Sequence, residues 1–277
     1  MNIRVCFSKY DRLRFLGHLD VMRYFQHAIT RSQIPIAFSN GFHPHMILSF
    51  AQPLALSMTS DGEYFDCELT ASSADPDHIF GKLQEQMCDG FAIRTVTILP
   101  EREPNTRKQT GMSQIAGAMY LCEPLPGCEE ILRSEVLTFS ERTSCTVQKQ
   151  GKNSERTVDV RAGIHAIGII EPSGEVRKLT DDGTFSVPET LSEGWGLERS
   201  EHALHRDGAV RFLFAVDAGS ENNISTELIS AALRSIISED EDAPETSGKE
   251  LPERCFSSHR MELYGMKEGH MVSLANL

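Results

Sequence analysis

The chain opens with a strand pattern that is followed by a helix pattern. Residues 3–7 alternate apolar side chains with Arg4 and Cys6, which is the two-residue period of a β-strand. From residue 18 to residue 31 the period changes, because apolar side chains recur every three or four residues and basic side chains fall on a second stripe. This predicts a strand and then a helix with one packed face and one basic face.

The pattern of the following residues completes a β-α-β-β-α-β order. The runs IAFS, ILSFA and EYFDCELT predict short strands, and SNGFHPHM predicts a loop because of its Asn-Gly and His-Pro pairs. Asp75, Pro76 and Asp77 predict a helix start, with an N-cap aspartate, a proline at the first helical position and an acid in the first turn. Gly90 ends this helix, and FAIRTVTIL alternates as a strand. This is the order of a ferredoxin-like sandwich.

A polar segment with almost no apolar residues separates this region from a second one with a similar order. Strands are predicted at AMYLC, CTVQK, TVDVR, VRFLFAV and RMELYGM, with one helix after Pro126-Gly127 and another over about residues 225–237. The repeated order predicts that the second region folds like the first.

The fold class that we predict is therefore α+β, as two tandem ferredoxin-like (βαββαβ) sandwiches with insertions in the second. The N-terminal domain is predicted at residues 1–100, the linker at 101–114 and the C-terminal domain at 115–277. The insertions fall at about 171–208 and 238–254, and the latter is an acidic tract predicted to be mobile.

Length and composition agree with two packed domains. A chain of 277 residues exceeds most single domains, and its 40% hydrophobic and 24% charged residues indicate neither disorder nor a fibrous protein. No window approaches the ~18 consecutive apolar residues of a membrane span, and the start MNIRVCFSKY lacks the pattern of a signal peptide. We expect a cytoplasmic protein without a membrane partner.

The cysteines indicate small apolar core residues in a reduced protein. There are seven, an odd number, and they are scattered along the chain. Cys122 and Cys128 lie closest in sequence, at a spacing that suits neither a zinc knuckle nor a redox motif. We therefore expect no metal or cluster held by cysteine alone, and no cofactor.

Charge is distributed unevenly within a net charge of −13. Residues 1–50 hold six Lys/Arg against two Asp, a balance of +4, whereas residues 51–100 hold two Lys/Arg against eight Asp/Glu, a balance of −6. A basic surface on an acidic body can bind an anion locally while it repels polyanions elsewhere. An ordinary solvated surface would give the same counts.

The residues that could contact RNA or a partner protein are basic, polar or aromatic and lie between residues 9 and 45. Guanidinium groups suit phosphate, and an aromatic side chain in a loop can stack on an unpaired base. The candidates are Lys9, Arg12 and Arg14 before the helix, Arg23 and Arg31 on its exposed stripe, and Asn40, Phe42, His43 and His45 in the loop.

Several motifs resemble a bacterial family of unknown function, the radical SAM-associated domain. They are RFLGHLD, FSNGFHPH leading to SF, GEYFD, and more weakly VDVR and HRMELY. The resemblance covers essentially the whole chain and is most specific in its first third. His43 and Met46 stand where the family pattern has asparagine and proline.

The resemblance implies a stand-alone partner of a radical SAM iron-sulfur enzyme thought to act on RNA or the translation apparatus. This chain contains no Cys-x-x-x-Cys-x-x-Cys run to hold a four-iron cluster, so the radical chemistry would be the partner's. The function that we expect is a non-catalytic accessory protein that helps to bind or present an RNA or ribonucleoprotein substrate.

Two other functions stay open at this point. The layout is similar to the tandem ferredoxin-like endoribonucleases that process CRISPR repeat RNA without a metal, with a histidine as general base. A structural protein–protein adaptor without nucleic-acid contact fits the overall acidity. His18 lies on the packed stripe, which favours a core histidine, and Asp20 is placed to pair with Arg23 or Tyr24 in the first helical turn.

Overall fold

The computed structural model describes residues 1–71, 73, 75–100, 110–150, 155–171, 173–191, 209–239 and 251–277. These residues form an α+β protein with mostly antiparallel sheet structure and few helices. The strands are β1 (Asn2–Lys9), β2 (Leu48–Phe50), β3 (Thr59–Glu68), β4 (Phe91–Ile98), β5 (Ile115–Pro124), β6 (Thr146–Gln150), β7 (Glu155–Asp159), β8 (Ile164–Ile170), β9 (Val176–Asp181), β10 (Arg211–Asp217), β11 (Phe256–Lys267) and β12 (His270–Ser273). The helices are α1 (His18–Ser32), α2 (Pro76–Gln84), α3 (Gly111–Gln114), α4 (Glu129–Glu141) and α5 (Thr226–Glu239).

Two compact units divide these elements. Among the described residues, the first unit consists of 1–116 and 260–277, and the second consists of those from 117 to 259. The chain therefore returns to the first unit within β11.

In the first unit, β1 lies between β4 and β3 and pairs antiparallel with both. β2 also pairs antiparallel with β3, and β12 with β11. One face of β1 packs on α1, where the ring centroids of Phe7 and Phe25 lie 4.4 Å apart. The strand predicted at residues 3–7 and the helix predicted from 18 to 31 are confirmed as β1 and α1.

The helix start predicted at Asp75 is also confirmed. Asp75 is the N-cap of α2, and its side chain accepts a hydrogen bond from the amide of Asp77 at 3.0 Å. This contact satisfies one of the amide groups that the first turn of a helix leaves without a partner.

β3 and β11 approach each other so closely at Gly62 that no other residue fits. A Cβ built there would lie 2.7 Å from the Cα of Glu262, well inside van der Waals contact. Glycine thus lets the two backbones meet within the first unit.

In the second unit, the strand order is β5-β10-β8-β9. The predicted strands CTVQK and TVDVR exist as β6 and β7, but they pair with each other in a separate two-stranded sheet. The neighbour of β10 is instead β8, which the sequence pattern did not reveal. All but one of the residues of β8 are buried, so the strand has no polar face to mark it by alternation.

Parts of the predicted linker and insertions now have a described structure. Residues 110–114 of the linker include α3, and Thr110 and Ser113 form a capping box at its start. The 171–208 insertion contains β9, which pairs antiparallel with β8. Residues 101–109, 192–208 and 240–250 lie outside the described structure, and with them most of the acidic tract.

Candidate functional site

The turn between β1 and α1 carries two of the predicted arginines. Residues Asp11–Phe15 form a single 3-10 turn, with Arg12 exposed and Arg14 half-buried. The guanidinium carbon of Arg14 lies 4.8 Å from the ring centroid of Phe15, a cation–π contact. Because the Phe15 side chain is 59% exposed, this pair offers a flat, positively charged surface to solvent.

α1 holds its two predicted arginines differently. Arg23 is exposed and forms a 3.5 Å ion pair with Asp20, which confirms the predicted pairing. Arg31 donates from Nε to the side-chain oxygen of Gln86 at 3.1 Å and from a terminal nitrogen to the Gln86 carbonyl. Arg31 thus ties α1 to the segment after α2, whereas Arg23 has a weak partner that an anion could replace.

The SNGFHPHM loop is closed at its base and exposed at its tip. The Ser39 hydroxyl hydrogen-bonds Nδ1 of His45 at 2.8 Å, and the Ser39 amide donates to the His45 carbonyl. Asn40, Phe42 and His43 lie exposed at the tip, with Phe42 fully in solvent. A rigid base therefore presents an uncovered aromatic ring.

Lys9 does not lie on the surface loop where the sequence pattern placed it. It ends β1, is 2% exposed, and its ammonium donates to the Leu16 carbonyl at 2.9 Å. Burial lowers the pKa of this ammonium, while the charge of Glu63 raises it. The surface cluster therefore consists of Arg12, Arg14 and Arg23, and Lys9 belongs to the interior.

Beside Lys9, Glu63 of β3 and Arg260 of β11 form a buried bidentate ion pair. Arg260 donates from Nε to one carboxylate oxygen at 2.8 Å and from a terminal nitrogen to the other at 2.5 Å. The same terminal nitrogen also reaches the Gln52 carbonyl at 2.9 Å. Both oxygens of Glu63 are thereby engaged by a neighbour other than Lys9.

Two more buried contacts join the motif segments of the first unit. Arg4 forms a second bidentate pair with Asp66, at 2.8 and 3.1 Å. Tyr64 donates to Glu262 at 2.6 Å, and burial raises the pKa of that carboxyl group. The GEYFD and HRMELY motifs therefore contact each other directly. Sequence reasoning missed these pairs because 62 residues separate Arg4 from Asp66 and 198 separate Tyr64 from Glu262.

The second unit contains a histidine that sequence reasoning also missed. His165 of β8 hydrogen-bonds Asp182 through Nδ1 and Asp217 through Nε2, each at 2.7 Å. The hydrogen bond to Asp217, with that to Asp182, raises the pKa of His165 to about 9. With a carboxylate on either side the ring is an imidazolium that links three segments. Among the described residues no cluster of three or more His, Cys, Asp or Glu side chains is arranged to hold a metal ion.

The fold and this surface define an α+β protein with mostly antiparallel sheet structure and a basic, aromatic-bearing surface beside its first helix. Residues 2–191 match the family model described as an uncharacterized protein conserved in bacteria (DUF2344), and the chain belongs to this family. No curated protein matches the chain. No helix in the described ranges is long and apolar enough to cross a membrane.

Proposed function

We propose that the protein is a non-catalytic accessory protein of a radical SAM enzyme, and that it helps to bind or present an RNA or ribonucleoprotein substrate. The observation that carries the proposal is the Arg14–Phe15 pair, whose phenyl ring is exposed, with Arg12 on the same 3-10 turn. Arginine contacts phosphate in a bidentate manner, and an exposed aromatic ring stacks on bases regardless of sequence.

Phe42 supports the same proposal independently. A fully exposed phenylalanine at the tip of a loop closed by Ser39 and His45 contributes nothing to the core of the unit. Its ring is free to stack on an unpaired base, which is how proteins read single-stranded loops and ends of RNA.

The proposal of an enzyme partner rests on the resemblance of the motifs to the radical SAM-associated domain. Because the chain lacks a Cys-x-x-x-Cys-x-x-Cys run, the partner supplies the cluster and the chemistry, and this protein supplies the substrate surface.

We also infer that each unit is a ferredoxin-like sandwich. In the first unit the pairings give the order β4-β1-β3-β2, and the elements follow one another as β-α-β-β-α-β. In the second unit the order is β5-β10-β8, so β10 lies between two strands that precede it in the chain. In the first unit β3 lies between β1 and β2 in the same way.

The endoribonuclease alternative needs a histidine base beside an arginine that binds phosphate. His18 packs edge-on against Phe50, with ring centroids 5.6 Å apart, and no hydrogen bond or ion pair joins it to an arginine in the described part of the chain. This geometry favours binding over cleavage.

Replacing Arg12, Arg14 and Arg23 together by Gln tests the RNA surface. The substitution removes three charges and keeps a polar, hydrogen-bonding side chain, so affinity for single-stranded RNA should fall and the slope of its salt dependence should flatten by roughly 0.7 per lost phosphate contact. A matched variant with Arg133, Arg156 and Arg177 of the second unit changed to Gln should bind like the wild type. Equal affinity and equal salt slope in the two folded variants would favour the adaptor instead.

A further inference from the structure

A small cavity lies inside the first unit, next to the candidate surface. Its volume is about 20 Å³, enough for one oxygen-sized group. The cavity is lined by Lys9 of β1, His18 at the start of α1, Glu63 of β3 and residues 52–54 of the loop between β2 and β3. The cavity therefore lies at the N-terminal end of α1, with a buried ammonium in its wall.

The charges around the cavity leave a positive excess. Glu63 is neutralised by Arg260, which engages both of its oxygens. Lys9 donates to the Leu16 carbonyl alone, and no carboxylate in the described ranges forms an ion pair with it. A buried cation without a counter-ion is costly, and two of the three N–H donors of this ammonium have no acceptor among the described residues.

The start of α1 adds to this positive potential. Gly17 is the N-cap, and no side chain caps the helix there. Amide groups in the first turn of a fifteen-residue helix favour an anion, and His18 stands at that turn. Asp20 in the same turn forms a 3.5 Å ion pair with Arg23 through one carboxylate oxygen. Its other oxygen lies beside the helix start, 3.8 Å from the position that a Cβ at Gly17 would occupy.

We propose that this cavity is an oxyanion subsite that receives one oxygen of a terminal phosphate group of the RNA. The inference rests on the proposed RNA-binding function and names the part of the ligand that the interior recognises. Lys9 donates hydrogen bonds to the oxygen, and the helix terminus stabilises its charge.

The same loop connects the cavity with the basic surface. Residues 52–54 line the cavity, and the amide of Ser57 donates to the Arg14 carbonyl at 2.9 Å. A terminal phosphate has three unesterified oxygens, so one can enter the cavity while two stay outside it. A carboxylate has one oxygen fewer, and a phosphodiester within a strand has only two unesterified oxygens and a single negative charge.

The first test uses inorganic phosphate as the probe. Its titration at constant ionic strength should raise the melting temperature of the full chain, since a ligand that binds only the folded state stabilises it. Lys9→Met should lose this response, and Lys82→Met, a change in a lysine that does not line the cavity, should keep it. If Lys9→Met fails to fold, the side-chain NMR signals of Lys9 in the wild type should shift with phosphate. No response in the wild type, or an equal response to acetate, overturns the proposal.

The second test compares RNA oligonucleotides that carry a terminal phosphate, at either end, with the same oligonucleotides ending in hydroxyl groups. Wild-type protein should bind one phosphorylated form about tenfold more tightly, and Lys9→Met should bind all forms equally. RNA binding with no preference for a terminal phosphate overturns the subsite and leaves the proposed function intact. If the protein responds to phosphate through Lys9 but binds no RNA, the oxyanion site is supported and the proposed RNA-binding function is contradicted.

Discussion

Glu63 and Arg260 form an ion pair inside the first unit, with side chains 7% and 1% exposed. Such pairs contribute little net stability when intact, because the cost of removing both charges from water offsets their attraction. Breaking the pair is different, since the remaining charge stays buried. The pair therefore fixes how β3 and β11 meet more than it adds free energy.

Arg260→Met should destabilise the protein by about 3 kcal/mol, at the low end for a broken buried pair because Lys9 partly compensates Glu63. The double variant Arg260→Met with Glu63→Gln should recover much of that loss. Urea unfolding of both variants measures the difference. Additive losses would show that the two side chains act independently and would contradict this account of the pair.

The contact of a side chain could be predicted from the sequence where its partner is close along the chain. Asp20 and Arg23 are three residues apart on one helix face, and their pairing follows from helix geometry. Arg260 and Glu63 are 197 residues apart, and Lys9 follows the predicted strand at residues 3–7 in what the pattern indicates is a loop, so neither buried role leaves a local signal.

Among the elements, β8 stands out because a single histidine at its start joins it to two neighbouring segments. His165 contacts Asp182, just after β9, and Asp217, the last residue of β10. The Asn222 side chain donates to the same Asp217 at 2.8 Å, which holds the carboxylate in place. This bridge should hold the end of the second unit's sheet together while the imidazole is charged.

The bridge predicts how stability changes with pH. The pKa of His165 rises from about 6.5 in the unfolded chain to about 9 in the folded one, so the folded state binds the proton more tightly. The contribution of His165 to the free energy of unfolding is complete below pH 6.5 and is lost as the pH rises through 9. Over this range the free energy of unfolding falls by less than ~1.4 kcal/mol per pH unit because of this group.

The free energy of unfolding, measured between pH 6 and pH 10, should fall more steeply for the wild type than for His165→Gln. His78→Gln, a change in an exposed histidine of α2, should keep the wild-type slope. Identical slopes for wild type and His165→Gln would contradict the charged bridge.

The elements were predictable where the residues themselves carry a polarity pattern or a start signal. β1, α1 and α2 show alternation, a helical stripe and an N-cap, and all three were predicted. β8 is apolar on both faces, and β6 and β7 alternate well but pair only with each other. Periodicity reports the alternation of polar and apolar residues along a strand and carries no information on its partner, so strand pairing in the second unit could not be predicted.

At the scale of the whole molecule, the uneven charge suits a protein that binds one anion at one place. The arginines that remain candidates are confined to the first unit, within a chain of net charge −13. The acidic remainder repels other polyanions, so any RNA should be held locally by this surface.

The most direct test is anaerobic purification of the full chain from its native cells after ultraviolet crosslinking, followed by identification of the RNA and proteins bound. The account predicts RNA crosslinked to a peptide between residues 10 and 46, in one complex with an enzyme that carries a Cys-x-x-x-Cys-x-x-Cys cluster motif. The variant lacking Arg12, Arg14 and Arg23 should retain the enzyme and lose the RNA. Crosslinks confined to the second unit, or an enzyme complex free of RNA in the wild type, would contradict it.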